Sequence, residues 1–486
     1  MIKKISFFIK EKHVELLLMV IVLSFGYFII KNAYWIFGDD FEFLISTGIG
    51  KIEWDYHIGD LGRLFPMAHF DFNILTLIPN GNTPFAHFSL ILLKFCFFVL
   101  FTYKLFLLIL SEFDTKSNLF IKWIIFLSIS FLIYFFNYIF LHLCFGHILF
   151  VFFPLFFIVL YKFHQTNKLI FGILANTISL YLIFSTENIF VIFFTISFVN
   201  IFFNYQNLSK SQKILYYSFF LNIIIFLSIY YFLVYQYTDT FYTRYTSLQE
   251  IFVMSTKHLK VLYIALVLLF WRAYKLIIKK ETQHIFIDNM LFAGLIYALS
   301  NVVLKTPMQF NFYISVLLVL PSIIYWIIKF RYLKLIFIIM ILINAYYLRN
   351  FPKELIRRQE VRKESRVQLN SMVQLINISD NSWFLKQENA DLSIQAQEGY
   401  HEMILNIYYN YLNELPEDKT IQIINQLPDI ITERTIIFYY TGNEENATLY
   451  NETIQKLSTL GFINIEYKYI YGLHIFVNFG NDAKNR

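Results

Sequence analysis

The chain has 486 residues, of which 57% are hydrophobic and only 15% charged, where a soluble domain carries about a quarter. Its mean hydropathy is +0.54, and many apolar runs reach the roughly 20 residues needed to cross a bilayer. This excludes an ordinary soluble globular protein and predicts a polytopic α-helical membrane protein. The net charge of +6 is modest, and the Lys and Arg residues sit in short loops between apolar runs, so no nucleic-acid surface follows. The abundant Phe and Tyr read as lipid-facing bulk. Cys96 and Cys144 both fall in apolar runs, so neither a disulfide framework nor a thiolate metal site is expected.

The basic N-terminus "MIKKISFFIKEKH" precedes a long apolar run with no A-x-A-like cleavage site, which predicts an uncleaved signal anchor with its N-terminus in the cytoplasm. The hydropathy pattern predicts about eleven spans, at 14–37, 85–110, 121–141, 147–162, 169–185, 188–204, 214–236, 258–278, 285–304, 312–329 and 333–349. Residues 1–349 thus form a transmembrane domain. The loops "SEFDTKSNLFIK", "YKFHQTNK", "NYQNLSKSQK", "RAYKLIIKKETQH" and "KFRYLK" all carry Lys or Arg. By the positive-inside rule they are cytoplasmic, in the cell inner (plasma) membrane. The outer segments are then 38–84, two short turns, 237–257 and "KTPMQFN".

Residues 350–486 are polar and predict a small soluble α/β domain on the outer side. Its opening, "RNFPKELIRRQEVRKESR", carries seven basic residues against three acidic. That argues for the cytoplasm, but long domains translocate largely regardless of charge. "ELIRRQEVRKESRVQLNSMVQLINI" has helical periodicity. "RTIIFYY" reads as a strand, "ATLYNETIQKLSTLGF" as an amphipathic helix ending near Gly461, and "INIEYKYIYGLHIFVNF" as two strands turning near Gly472.

The first outer loop, 38–84, holds the richest chemistry. It contains Asp39, Asp40, Glu42, Glu53, Asp55, Asp60 and Asp71, with His57, His69 and Arg63. "DFEFLIST" and "GRLFPMAHFDFNILTLI" are apolar but short, and predict interfacial helices. Asp39 and Asp40 follow the first span by one glycine, at membrane-surface depth. A carboxylate pair there can act as general base on an acceptor hydroxyl, hold a hard divalent cation, or merely end the helix in water. Gly38 gives the backbone freedom beside them. Arg63 suits a phosphate, which it can grip in bidentate geometry. Glu187, in "FSTENIF" between two short apolar segments, is costly unless paired or wet and is expected on the same outer side. His57, His69 and Asp71 are candidate metal ligands, although His69 and Asp71 are two apart and do not share a helical face. Asp239 and Arg244 lie in the 237–257 loop. Lys305, ahead of Gln309, Asn311 and Tyr313, can meet a phosphate or anchor the interface.

"FGDDF" at 37–41 and "GRLFPMAHFDFN" at 62–73, set in this topology, resemble the GT-C superfamily of membrane glycosyltransferases, which includes the protein O-mannosyltransferases and lipid A aminoarabinose transferases. The resemblance implies transfer of a hexosyl or pentosyl sugar from a polyprenyl-phosphate carrier to a glycan, lipid or protein acceptor at the outer face. It implies a base or metal ligand at Asp39 foremost, with Asp40 beside it. Several of these families place a late-loop Arg-Tyr pair near the donor phosphate. "MQFNFY" lacks that arginine, which leaves Arg63 and Lys305 as stand-ins, with Glu187, His69 and Asp71 as further substrate-side groups. The resemblance makes no cofactor certain, and a divalent cation is an open alternative. The residue usage, rich in Phe, Ile, Lys and Asn, suggests a bacterium with an AT-rich genome. Two rival readings are a flippase or transporter of lipid-linked oligosaccharides, which predicts ionisable groups near mid-membrane, and a glycan polymerase. A polymerase would carry arginines in large mid-chain outer loops, whereas 237–257 has only Arg244.

Overall fold

The computed structural model describes residues 2–33, 64, 66–81, 83–113, 119–143, 147–237, 247, 249–250, 253, 262–304, 309–378, 381–385, 422–424, 435–440, 455, 458–459, 466–470 and 473–478. These fall into two compact units, a helical one ending at Leu355 and a second running from Ile356 onward.

Among the described residues, every predicted span is occupied by a helix. They are α1 (Ile2–Lys31), α2 (Pro84–Ile109), α3 (Leu119–Phe135), α4 (His147–Thr166), α5 (Leu169–Ile183), α6 (Phe190–Phe203), α7 (Lys210–Leu233), α8 (Tyr263–Ile277), α9 (Ile285–Val303), α10 (Gln309–Lys329) and α11 (Leu333–Ile378). Seven are long and apolar enough to cross a membrane, within α1, α2, α4, α7, α9, α10 and α11. Three apolar helices, α3, α5 and α6, are shorter, and α8 has 15 residues.

Local sequence sets the helix starts. Thr83 caps α2, its side chain accepting from Ala86 N, with Pro84 in the first turn, where its missing N–H costs nothing. Ser209 and Gln212 form a reciprocal capping box at the start of α7. Helix packing relies on small residues. A Cβ on Gly294 of α9 would stand 2.8 Å from Val319 Cγ1 and 3.1 Å from the Ser315 carbonyl of α10. Only glycine admits that approach.

Amides and hydroxyls stitch neighbouring helices. Asn222 of α7 donates to Asn176 Oδ1 of α5 at 3.0 Å. Asn200 of α6 donates to Asn289 of α9 at 3.0 Å, and Asn344 of α11 to the Leu127 carbonyl of α3 at 2.9 Å. Such bonds between apolar helices contribute roughly 0.6–2 kcal/mol each.

The bonds between connecting segments reveal the bundle's order. Glu112, after α2, accepts from Lys329 at the end of α10 at 3.2 Å. Asn207, after α6, donates to Thr282, after α8, at 3.0 Å. Ser209 donates to Asn167 across the α4–α5 and α6–α7 connections at 2.9 Å. At the opposite end, Met67 N donates to the Phe184 carbonyl at 3.1 Å, and Asn188 donates to Asn301 at 3.2 Å. Each of these bonds joins loops that alternate traversal places at the same end. The end holding residues 64–81 and 184–189 is called the first end below, and the other the second.

The second unit holds a mixed five-stranded sheet of order β2-β1-β3-β5-β4. Its strands are β1 (Asn381–Leu385), β2 (Gln422–Ile424), β3 (Thr435–Tyr440), β4 (Glu466–Ile470) and β5 (Leu473–Asn478). β1 pairs in parallel with β2 and β3, and β5 pairs antiparallel with β3 and β4. Ile436, Ile437, Phe476 and Val477 are buried. β3 and the β4–β5 hairpin lie where the alternation places them, while β1 and β2 are additions.

The last span and the basic tail helix are a single 46-residue helix, α11, with Pro352 inside it. A proline removes one backbone hydrogen bond, and here it does not end the helix.

Candidate functional site

At the first end, a 3-10 helix, Phe70–Leu77, follows His69. Leu64, Ala68, Phe72 and Leu75 are buried, whereas Ile74, Leu77 and Ile78 are exposed. The second predicted interfacial piece thus has apolar residues on both sides, one packed in the bundle and the other exposed.

The buried side of this segment carries charge. Asp71 makes an ion pair with Lys94 of α2, the two side chains being 17% and 5% exposed. Lys94 Nζ also lies 3.8 Å from the centroid of the Phe72 ring, a cation–π contact that supplies further attraction in a dry setting. His87 stacks on Phe72 with centroids 5.6 Å apart, and its Nδ1–H donates to the Thr83 carbonyl at 3.0 Å. His147 of α4 is buried, with Nε2–H donating to the Ile139 carbonyl at 2.8 Å. Lys94 lies ten residues into α2, roughly 15 Å along its axis, and its side chain leans back toward the helix start. Asp71 therefore meets it inside the bundle.

Two bonds fix this segment to α5. Tyr181 Oη–H donates to the Met67 carbonyl at 3.2 Å, and Met67 N–H reaches Phe184 O. Glu187 opens the turn that follows, Glu187–Ile189, and Asn188 ties that turn to Asn301 near the end of α9. Of the residues singled out in sequence, the structure thus brings His69, Asp71 and the Glu187 backbone to one end. Asp39, Asp40, Arg63 and Lys305 lie outside the described residues, as do Glu42, Glu53, Asp55, His57, Asp60, Asp239 and Arg244. Tyr313 is buried against Phe135 and Phe136, which removes it from any open site.

Asp71 is committed to Lys94, and no group of three or more His, Cys, Asp or Glu that could hold a metal ion occurs among the described residues. Lys94, His87 and His147 were missed in sequence. The available signal was a lysine inside a 26-residue apolar helix, which is expensive unless paired.

The second end holds another network. Arg272 of α8 is fully buried. Its guanidinium donates in a fork to Asp288 of α9, Nε to Oδ1 and Nη2 to Oδ2, both at 2.8 Å. It also donates to Glu281 at 2.8 Å, and its Cζ lies 4.3 Å from the Trp326 ring centroid. The hydrogen bond from Arg272 holds the Glu281 carboxyl below its usual range. Tyr325 Oη–H donates to Glu112 at 2.6 Å. Because that hydroxyl has one proton, the 2.8 Å contact with His284 Nδ1 makes the imidazole the donor. Burial, with Lys329 nearby, pushes the His284 pKa down.

No family model, no curated protein and no solved structure matches the chain.

Proposed function

We propose that the protein is a multi-pass plasma-membrane glycosyltransferase of GT-C type, with the eleven helices as its spans. It moves a hexosyl or pentosyl unit from a polyprenyl-phosphate carrier to a cell-surface glycan, lipid or protein acceptor at the outer face. One observation carries the reading: residues 64–77 are fastened to α5 beside the Glu187 turn. This gathers polar groups of the first loop beside the turn that opens at Glu187.

In this reading the acceptor hydroxyl oxygen attacks the anomeric carbon as the bond from that carbon to the phosphate oxygen breaks. Asp39, with Asp40 beside it, accepts the hydroxyl proton. Arg63, with Lys305, stabilises the charge gathering on the departing phosphate. Glu187 and His69 are further candidate substrate-side groups. Asp71 is spent on Lys94 and holds the loop segment rather than serving as base.

A second reading, export of a lipid-linked glycan, draws on the buried Lys94–Asp71 pair, because ionisable groups inside a bundle are typical of transport paths. The two readings separate experimentally. Asp39→Asn and Asp40→Asn are made singly, membrane insertion is verified, and surface glycans and lipid-linked sugars are measured by mass spectrometry. Transfer predicts that at least one variant loses the glycan modification while lipid-linked sugar accumulates. Unchanged glycans in both variants would overturn the transferase assignment.

A further inference from the structure

On the second-end half of the helical unit, a cavity of about 380 Å³ opens between α6, α8 and α9. That volume falls within the roughly 300–1,000 Å³ of small-molecule sites. Phe198, Leu269, Ala273 and Phe292 line it. Ile277 and Ile296 line it too and are themselves exposed, so the cavity is reached sideways, from the surface that faces lipid in a membrane. Left empty, its walls would forfeit dispersion contacts. A hydrocarbon chain restores them.

Apolar lining alone does not choose among lipids, because bilayer chains are as apolar as the cavity. The choice falls to the charge that follows α8, whose Leu276 and Ile277 line the cavity. α8 ends at Ile277, and Lys279 and Lys280 follow directly, both exposed. The acids nearby in the sequence are engaged elsewhere: Asp288 with Arg272, and Glu281 with Arg272 and with Lys275 at 3.5 Å. Among the described residues, Lys279 and Lys280 make no ion pair.

We propose that this cavity is a binding site for an anionic phospholipid, one acyl chain filling the space between α6, α8 and α9 and the headgroup phosphate resting on Lys279 and Lys280. The site is at the opposite end from the 64–77 segment and does not rest on the transferase reading. Two lysines at a membrane surface favour an anionic over a neutral headgroup by roughly thirtyfold.

The test uses the full chain in nanodiscs and a phosphatidylglycerol with a diazirine on one acyl chain, with crosslinked peptides mapped by mass spectrometry. Phosphatidylcholine and polyprenyl phosphate carrying the same group are the comparison probes. The expected result is phosphatidylglycerol labelling concentrated in 194–203, 269–277 and 292–296, at least tenfold above phosphatidylcholine. Ala273→Phe, which fills the cavity, should remove that labelling. Lys279→Gln with Lys280→Asn, both at the surface and harmless to folding, should bring the two phospholipids to parity. Labelling spread evenly over the helices, equal labelling by both phospholipids in the wild type, preference for polyprenyl phosphate, or a preference that survives the lysine changes would each overturn the assignment.

Discussion

The Lys94–Asp71 pair offers the sharpest energetic test. Removing one partner of a buried ion pair costs about 3–5 kcal/mol, because the other charge is left without compensation. Asp71→Asn strands Lys94, whose side chain is only 5% exposed, and belongs at the upper end of that range. Lys94→Met strands Asp71, which is 17% exposed and keeps some access to water, and belongs at the lower end. Lys94→Met also removes the cation over Phe72, worth about 0.5–2 kcal/mol. The double variant has no stranded charge, so it should lie within about 1–2 kcal/mol of wild type, leaving a coupling of several kcal/mol. At roughly 2 °C per kcal/mol for a large domain, each single variant should lower the thermal midpoint by about 6–10 °C. The double variant should recover most of that loss. The assay is tryptophan-fluorescence melting in one detergent, with all four proteins compared at one scan rate. Additive losses, or a Lys94→Met midpoint equal to wild type, would refute the pairing.

Other perturbations probe the second end and the packing. Asp288→Asn leaves Arg272 buried with Glu281 alone and should cost about 3–5 kcal/mol, read in the same melting assay. Asp288→Leu with Arg272→Met should recover much of it. His284 is held below its ordinary 6.5, so the unfolded chain binds more protons as pH falls. The His284 contribution is therefore complete above about 6.5 and is lost below it toward the folded pKa. His284→Gln should flatten the fall in thermal midpoint as pH drops below about 6.5. Glu281 is depressed by Arg272, so its contribution is present above the usual carboxylate range and disappears only under stronger acid; Glu281→Gln should remove that lower step. Gly294→Leu forces a side chain against Val319 and the Ser315 carbonyl and should lower the yield of folded protein, because overpacking typically costs about 1–3 kcal/mol and backbone cannot yield as a side chain does.

Helix positions were legible because apolar run length sets them. The runs 121–141 and 169–185 gave α3 and α5 even though both are short. At 350 the composition changes while the helical periodicity does not, so one helix runs through the junction. Asn350 to Glu354 keep helical backbone, and Pro352 forfeits one donor without breaking the rod. β1 was missed because "NSWFL" is short and offers little alternation, and β2 has only three residues. At the site, Asp71 was visible as an acid in a loop, but its partner was not. The Lys94 pairing arises only when the 64–77 segment turns into the bundle, which depends on Met67 bonding Phe184 and on Phe72 burying beside His87. Those contacts join separate segments of chain, and no local period encodes them.

That buried pair also sharpens which carboxylate can act as a base. A general base must be free to accept a proton in the transition state, and a carboxylate held against a lysine with little access to water is poorly placed to do so. Asp71 is in that position. At the second end, Asp288 is forked to Arg272, and Glu281 is shared by Arg272 and Lys275. Glu112 accepts from Tyr325 and Lys329. These acids of the helical unit are therefore engaged in holding helices and loops together. In the proposed reaction Asp39 and Asp40 stay the foremost candidates for proton acceptance. Their single replacement separates a chemical role from a structural one more cleanly than any change at Asp71.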